Sequence, residues 1–277
     1  MFELHAPPDM TAPVLIVAFD GWVSAGSVGT TAADHLAGEG AVVASFLPER
    51  LYDFRVSRPT ATFRDGLLEK IEWPVLTIRH QSIEDRDLLI LSGPEPNWNW
   101  PELASSVANL CATFGVVEQI SLGGIPWAAA HTRPTEVVTT ASQPDLLGAD
   151  ANAPEGEMQV PAALALIVEQ RVTDLGIPAV GFWARVPHYI GNTYYPGVTT
   201  LVERVARHTG IDIPLGSLVD DSAAQRRQLA ALVDTRPEAM QMVERYEQLA
   251  DAEGDAPPNA DMTAEIEEFL RDQIEDL

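Results

Sequence analysis

The sequence predicts an α/β protein of three layers, α/β/α, with a mainly parallel sheet and a helical C-terminal appendage. Three observations carry this expectation. Apolar runs of strand length alternate with helical patterns over residues 14–210. The first run, Val14-Leu15-Ile16-Val17-Ala18-Phe19, is apolar without a break, as a strand buried on both faces must be. From about Ile213 the chain turns helical, charged and acidic.

Strand signals follow at 14–19, 41–46, 74–78, 87–91, 117–122, 136–141 and 177–183. Helical signals lie between most of them. Residues 24–37 form the first. Residues 102–114 form the second, with Leu103, Val107, Leu110 and Cys111 on one face. Residues 161–175 align Leu164, Val168 and Val172, with Gly176 placed as a C-cap, and residues 198–209 end at Gly210. Residues 50–66 interrupt the rhythm. Their mixture of aromatic and arginine residues reads as an excursion or a hairpin arm. Residues 142–157 form a long Pro-, Asp- and Gly-rich loop, of the kind that is usually functional or mobile. Beyond the core domain, 1–212, the appendage 213–277 carries helical patterns at 222–233 and 235–249. Thr235 and Glu238 fit a capping box. A linker over 254–260 and a last acidic helix over 261–277 complete it. That helix aligns Ile266, Phe269, Leu270 and Ile274, an apolar face that must pack on something, its own domain first.

Composition narrows the function. Hydrophobic residues make up 46% of 277, enough for a large core. The net charge is −24, and the range 220–277 alone holds sixteen acidic residues against five arginines. Such a surface repels nucleic acid and anionic membranes, so neither is expected as a partner. The single cysteine, Cys111, forms no internal disulfide and is expected to be buried and inert. Residues 1–11 lack the basic and apolar regions of a signal peptide, and no run of ~18 apolar residues appears. A cytoplasmic location is expected.

Four segments fall at the carboxyl ends of predicted strands, where α/β sheets gather ligand sites. The first runs from Asp20 through Ser24 to Gly29. Asp20 reads as a catalytic acid, a helix cap or an acceptor for backbone N–H groups. Gly26-Ser27-Val28-Gly29 either lets the backbone approach an anion at a helix N-terminus or permits close helix–sheet packing. It is not a dinucleotide fingerprint, a P-loop or a nucleophile elbow. The second segment holds Glu95 with Trp98, Trp100 and three prolines, and those tryptophans call for cover by the domain or by a subunit contact. The third holds His131 and Arg133, which could bind an anion through the guanidinium fork, unless the arginine pairs with an acidic residue. The fourth closes with Arg185 and His188, the histidine a general base, a ligand or a structural group. No histidine or cysteine spacing suits a metal, and neither metal nor cofactor is predicted. The convergence predicts one shared face with Asp20, Ser24, Gly26, Gly29, Glu95, His131, Arg133, Arg185 and His188 as candidates.

These segments together resemble the proteasome assembly chaperone 2 family, in its bacterial, actinobacterial-like branch. The matching pieces are Ala18-Phe19-Asp20-Gly21-Trp22 with Ala25-Gly26, Gly93-Pro94-Glu95-Pro96, Gly124-Ile125-Pro126 with His131-Thr132-Arg133-Pro134, and Gly181-Phe182-Trp183 with Val186-Pro187-His188-Tyr189. They cover roughly residues 13–210. The resemblance implies a core like that of nucleoside phosphorylases and related hydrolases, and self-association, with a trimer as the expected homo-oligomer. It also implies proteasome subunits as partners, and it transfers no catalytic residues. Several relatives dock through a C-terminal hydrophobic-tyrosine-X tail. This sequence ends Ile274-Glu275-Asp276-Leu277, without that tyrosine, so tail docking is not expected. The expected function is a non-enzymatic, chaperone-like interaction protein. The alternative is a phosphorylase- or hydrolase-like enzyme acting on a small anionic or nucleoside-like substrate.

Overall fold

The computed structural model describes residues 1–84, 86–148 and 151–253. The linker and last helix expected over 254–277 lie outside the described residues. Ten strands and seven α-helices are described: β1 (Phe2–Leu4), β2 (Val14–Asp20), α1 (Val28–Ala37), β3 (Ala41–Phe46), α2 (Pro48–Leu51), β4 (Thr60–Arg64), β5 (Leu67–Glu72), β6 (Thr77–Ile83), β7 (Arg86–Pro94), α3 (Trp100–Phe114), β8 (Glu118–Trp127), β9 (Val137–Ala141), α4 (Leu164–Thr173), β10 (Ala179–Pro187), α5 (Tyr195–Thr209), α6 (Leu218–Asp234) and α7 (Pro237–Glu253).

Eight strands form one sheet in the order β1-β3-β6-β7-β2-β8-β10-β9. Only its centre, β7-β2-β8-β10, is parallel. The flanks are antiparallel, which corrects the expectation of a mainly parallel sheet to a mixed one. The reason is local for β6 and β7. Too few residues separate them for a crossover, so they pair as a hairpin.

The alternation of β2 divides the core. Val14, Ile16 and Ala18 pack with residues of α1 and α5 on one face. Leu15, Val17 and Phe19 pack with residues of α3 and α4 on the other. Helices therefore cover both faces, and the three-layer arrangement follows. Cys111 of α3 is buried there, and burial pushes its thiol up to about 12. The way into α6 runs through the first cluster, where Ile211, Ile213 and Leu218 are buried. Gln225 of α6 then clamps the start of α5. Its Oε1 accepts from the Tyr195 N–H at 2.9 Å and its Nε2 donates to the Thr193 carbonyl at 2.6 Å. Thr235 closes α6 by donating to the Leu232 carbonyl, in place of the capping box expected for the next helix.

The interruption at 50–66 leads into a hairpin arm. β4 and β5 pair with each other and form a separate two-stranded sheet. Their turn places Asp65 at φ 51° and Gly66 at φ 80°, the left-handed pair that a tight hairpin requires. Every residue of both strands is exposed, including Phe63 at 64% and Leu67 at 74%.

Candidate functional site

The carboxyl ends of β2, β7, β8 and β10 meet along one edge of the sheet, and its two halves are built differently. In the first half the sequence candidates serve packing. Asp20 is exposed, and its carbonyl accepts the Glu95 N–H at 2.8 Å. Ser24 Oγ donates to the Gly21 carbonyl at 2.7 Å. Gly26 sits at φ 57°, and a Cβ there would stand 2.9 Å from Tyr194 Cβ. A Cβ on Gly29 would stand 2.5 Å from the Leu122 carbonyl oxygen. These two glycines bring α1 and the turn before it close against β8 and the start of α5.

Glu95 ties three segments together. Its Oε2 accepts the Trp22 N–H at 3.2 Å, and its Oε1 accepts the Leu164 N–H at 2.8 Å. Leu164 is the first residue of α4, and the N-cap Ala163 has no side-chain acceptor to offer. The carboxylate therefore caps α4 from the loop after β7. Trp100 Nε1 donates to the Pro96 carbonyl at 2.6 Å, and Trp127 lies under the Arg185 guanidinium at 4.1 Å. Those two tryptophans are covered in cis. Trp98 remains 52% exposed.

The second half, beyond β8 and β10, is polar and roofed by α6 and α7. Arg185 is buried and pairs with Glu136 at 2.5 Å. His131 is 1% exposed. Its backbone N–H donates to Tyr189 Oη at 2.9 Å, and its Nδ1 lies 2.8 Å from the same oxygen. Burial holds the His131 ring below its ordinary pKa; the Arg226 charge acts in the same direction, and Glu247 opposes both. Arg226 Nη1 reaches the His131 and Arg133 carbonyls at 3.5 and 3.4 Å. Thr132 Oγ1 donates to Glu247, and Arg133 Nη2 donates to Asp251 at 2.8 Å. The His188 ring is exposed and meets Tyr189 and Tyr246 edge-on, each at 5.6 Å. Burial pushes the Tyr189 phenol up to about 12 and raises that of Tyr194, so both keep their protons at neutral pH.

The structure thus brings His131, Arg133 and His188 together beneath α7. Asp20 and Glu95 are engaged at the other half, and Arg185 is committed to Glu136 and Trp127. Sequence reasoning missed Tyr189, Tyr194, Arg226 and Glu247. The available signal was the Arg226-Arg227 pair within an acidic helix. Among the described residues, no group of three His, Cys, Asp or Glu side chains could hold a metal ion. No helix among them is long and apolar enough to cross a membrane.

Fold and site define a three-layer α/β protein whose strand-end edge is half packed shut and half roofed by its own C-terminal helices. The PAC2 family profile matches residues 18–233, and the chain belongs to the PAC2 family. No curated protein matches the sequence. Among solved structures, a PAC2 family protein from Streptomyces avermitilis is 33% identical, with a TM-score of 0.73 over 83% of this chain and 99% of that one. A proteasome-assembly chaperone homologue from Mycobacterium tuberculosis is 28% identical, with a TM-score of 0.77 over 83% and 99%. A Mycobacterium tuberculosis protein of unknown function is 30% identical, with a TM-score of 0.86 over 92% and 90%.

Proposed function

We propose that this chain is a self-associating, non-enzymatic interaction protein of the proteasome-assembly-chaperone type, acting in the cytoplasm with the proteasome α-ring as client. The observation that carries the proposal is the β4–β5 arm. A lone two-stranded hairpin is marginal in water, and this one displays Phe63, Leu67, Leu68 and Ile71 to solvent. Such an arm is built to be covered. Its occupant is a second copy of this chain, in a homo-oligomer expected to be a trimer. Charge selects that occupant. Residues 53–73 hold four acidic and four basic residues, while the whole chain carries −24. Two copies repel each other over most of their surfaces, and the neutral arm is where they can approach. The division into a core over 1–212 and an appendage over 213–277 belongs to the same reading, with the appendage as roof of the strand-end edge.

The client is supported by family membership and by the relative described as a proteasome-assembly chaperone homologue. Affinity purification of the tagged chain from native lysate is the test. Proteasome α-subunits are expected to co-purify, and their reproducible absence contradicts the client. The second reading is an enzyme of phosphorylase or hydrolase type on a nucleoside-phosphorylase-like core. One observation favours it: His131 Nε2 is buried without a hydrogen-bond partner.

A further inference from the structure

We propose that His131 and Arg226 form a receptor for a small oxyanion beneath α7, with Tyr189 fixing the His131 ring. The proposal stands apart from the docking arm and requires no reaction. It starts from the tautomer of His131. Tyr189 Oη accepts the His131 backbone N–H and has one proton of its own. We assign that proton to a hydrogen bond onto His131 Nδ1, 2.8 Å away. The ring proton then resides on Nε2. That atom is buried and has no partner among the described residues. A buried donor left unmet costs about 1–3 kcal/mol, and native interiors rarely tolerate it.

Arg226 makes the same demand. Its contacts are two carbonyl oxygens at 3.4 and 3.5 Å, the far limit of a hydrogen bond, and carbonyls do not neutralise a cation. Among the described residues no carboxylate pairs with it, although the chain holds 41 acidic residues against 17 basic ones. Arg50, Arg79, Arg133 and Arg185 each have a carboxylate partner. The cluster therefore offers a guanidinium and an imidazole N–H, both donors. Donors without an acceptor suit an oxyanion, phosphate or carboxylate, and exclude a metal cation.

Glu247 guards this receptor. It accepts from Thr132 Oγ1, and its charge acts on His131 and Tyr189. An incoming anion must overcome that charge, so Glu247→Gln is expected to tighten binding by roughly fivefold.

The test is calorimetric titration of the full chain with inorganic phosphate and, separately, acetate, against chloride at matched ionic strength. Saturation by one of the two anions but not by chloride is expected, and the anion that binds identifies the class. Glu247→Gln should bind more tightly. Arg226→Gln should lose at least tenfold in affinity with its circular dichroism unchanged. Arg133→Ala should retain binding, because Arg133 is committed to Asp251. Specific binding that survives Arg226→Gln, or that is lost in Arg133→Ala, overturns the assignment. So does the absence of binding in both wild type and Glu247→Gln. Long-range ¹H–¹⁵N spectra supply an independent check. They should show His131 protonated on Nε2, and protonation on Nδ1 contradicts the proposal.

Discussion

Strand β2 and the β4–β5 arm are both β-structure with apolar side chains, yet they end in opposite environments. In β2, residues 14–19 are buried, with helices on both faces. In the arm, all eleven strand residues are exposed. Each fully buried large apolar side chain stabilises by about 1.5–3 kcal/mol, so β2 is a main contributor to the fold and the arm contributes almost nothing to it. The difference teaches that exposed apolar residues here are not a failure of the core. Four of them, Phe63, Leu67, Leu68 and Ile71, share one two-stranded element whose charges cancel.

Variants sharpen this contrast by showing where stability resides. The largest loss is expected from Gly29→Val. Its Cβ would meet backbone at 2.5 Å, which cannot rotate away. Overpacking of this kind costs about 3 kcal/mol, visible as a lower urea midpoint at unchanged slope. Glu95→Ala comes next. It leaves the Trp22 and Leu164 N–H groups without their acceptor and uncaps α4, at a cost of about 1–2 kcal/mol by the same measurement. Arg133→Ala breaks an ion pair whose partners are 42% and 65% exposed, so the loss should stay below about 1 kcal/mol. A larger loss there would mean that α7 is locked to the body more firmly than its polar contacts imply. The smallest effect on the fold belongs to the arm. Phe63→Asp with Leu67→Asp should leave the far-ultraviolet circular dichroism unchanged.

The legible parts of the molecule follow from local pattern. The unbroken apolar run of β2, the one-faced spacing of α3 and α4 and the glycine after α5 each announced their elements. β6 was placed too early, at 74–78, because Arg79, His80, Gln81 and Ser82 hide a half-buried antiparallel strand behind polar side chains. β1, with three residues, is too short to leave a signal. The candidate face was legible as a set of strand ends, but its division was not. Whether Gly26 and Gly29 face a ligand or a strand depends on how closely β8 and α5 approach, which no local pattern encodes. The cap that Glu95 supplies to α4 spans 69 positions. The meeting of Arg226 with His131 spans 95. Both arise from tertiary packing alone.

The central claim, that the arm joins copies of this chain, is tested most directly by sedimentation velocity at micromolar concentration. The wild type should sediment as an oligomer, and the Phe63→Asp, Leu67→Asp double variant as a folded monomer. A monomeric wild type, or a double variant that keeps the oligomer, would contradict it.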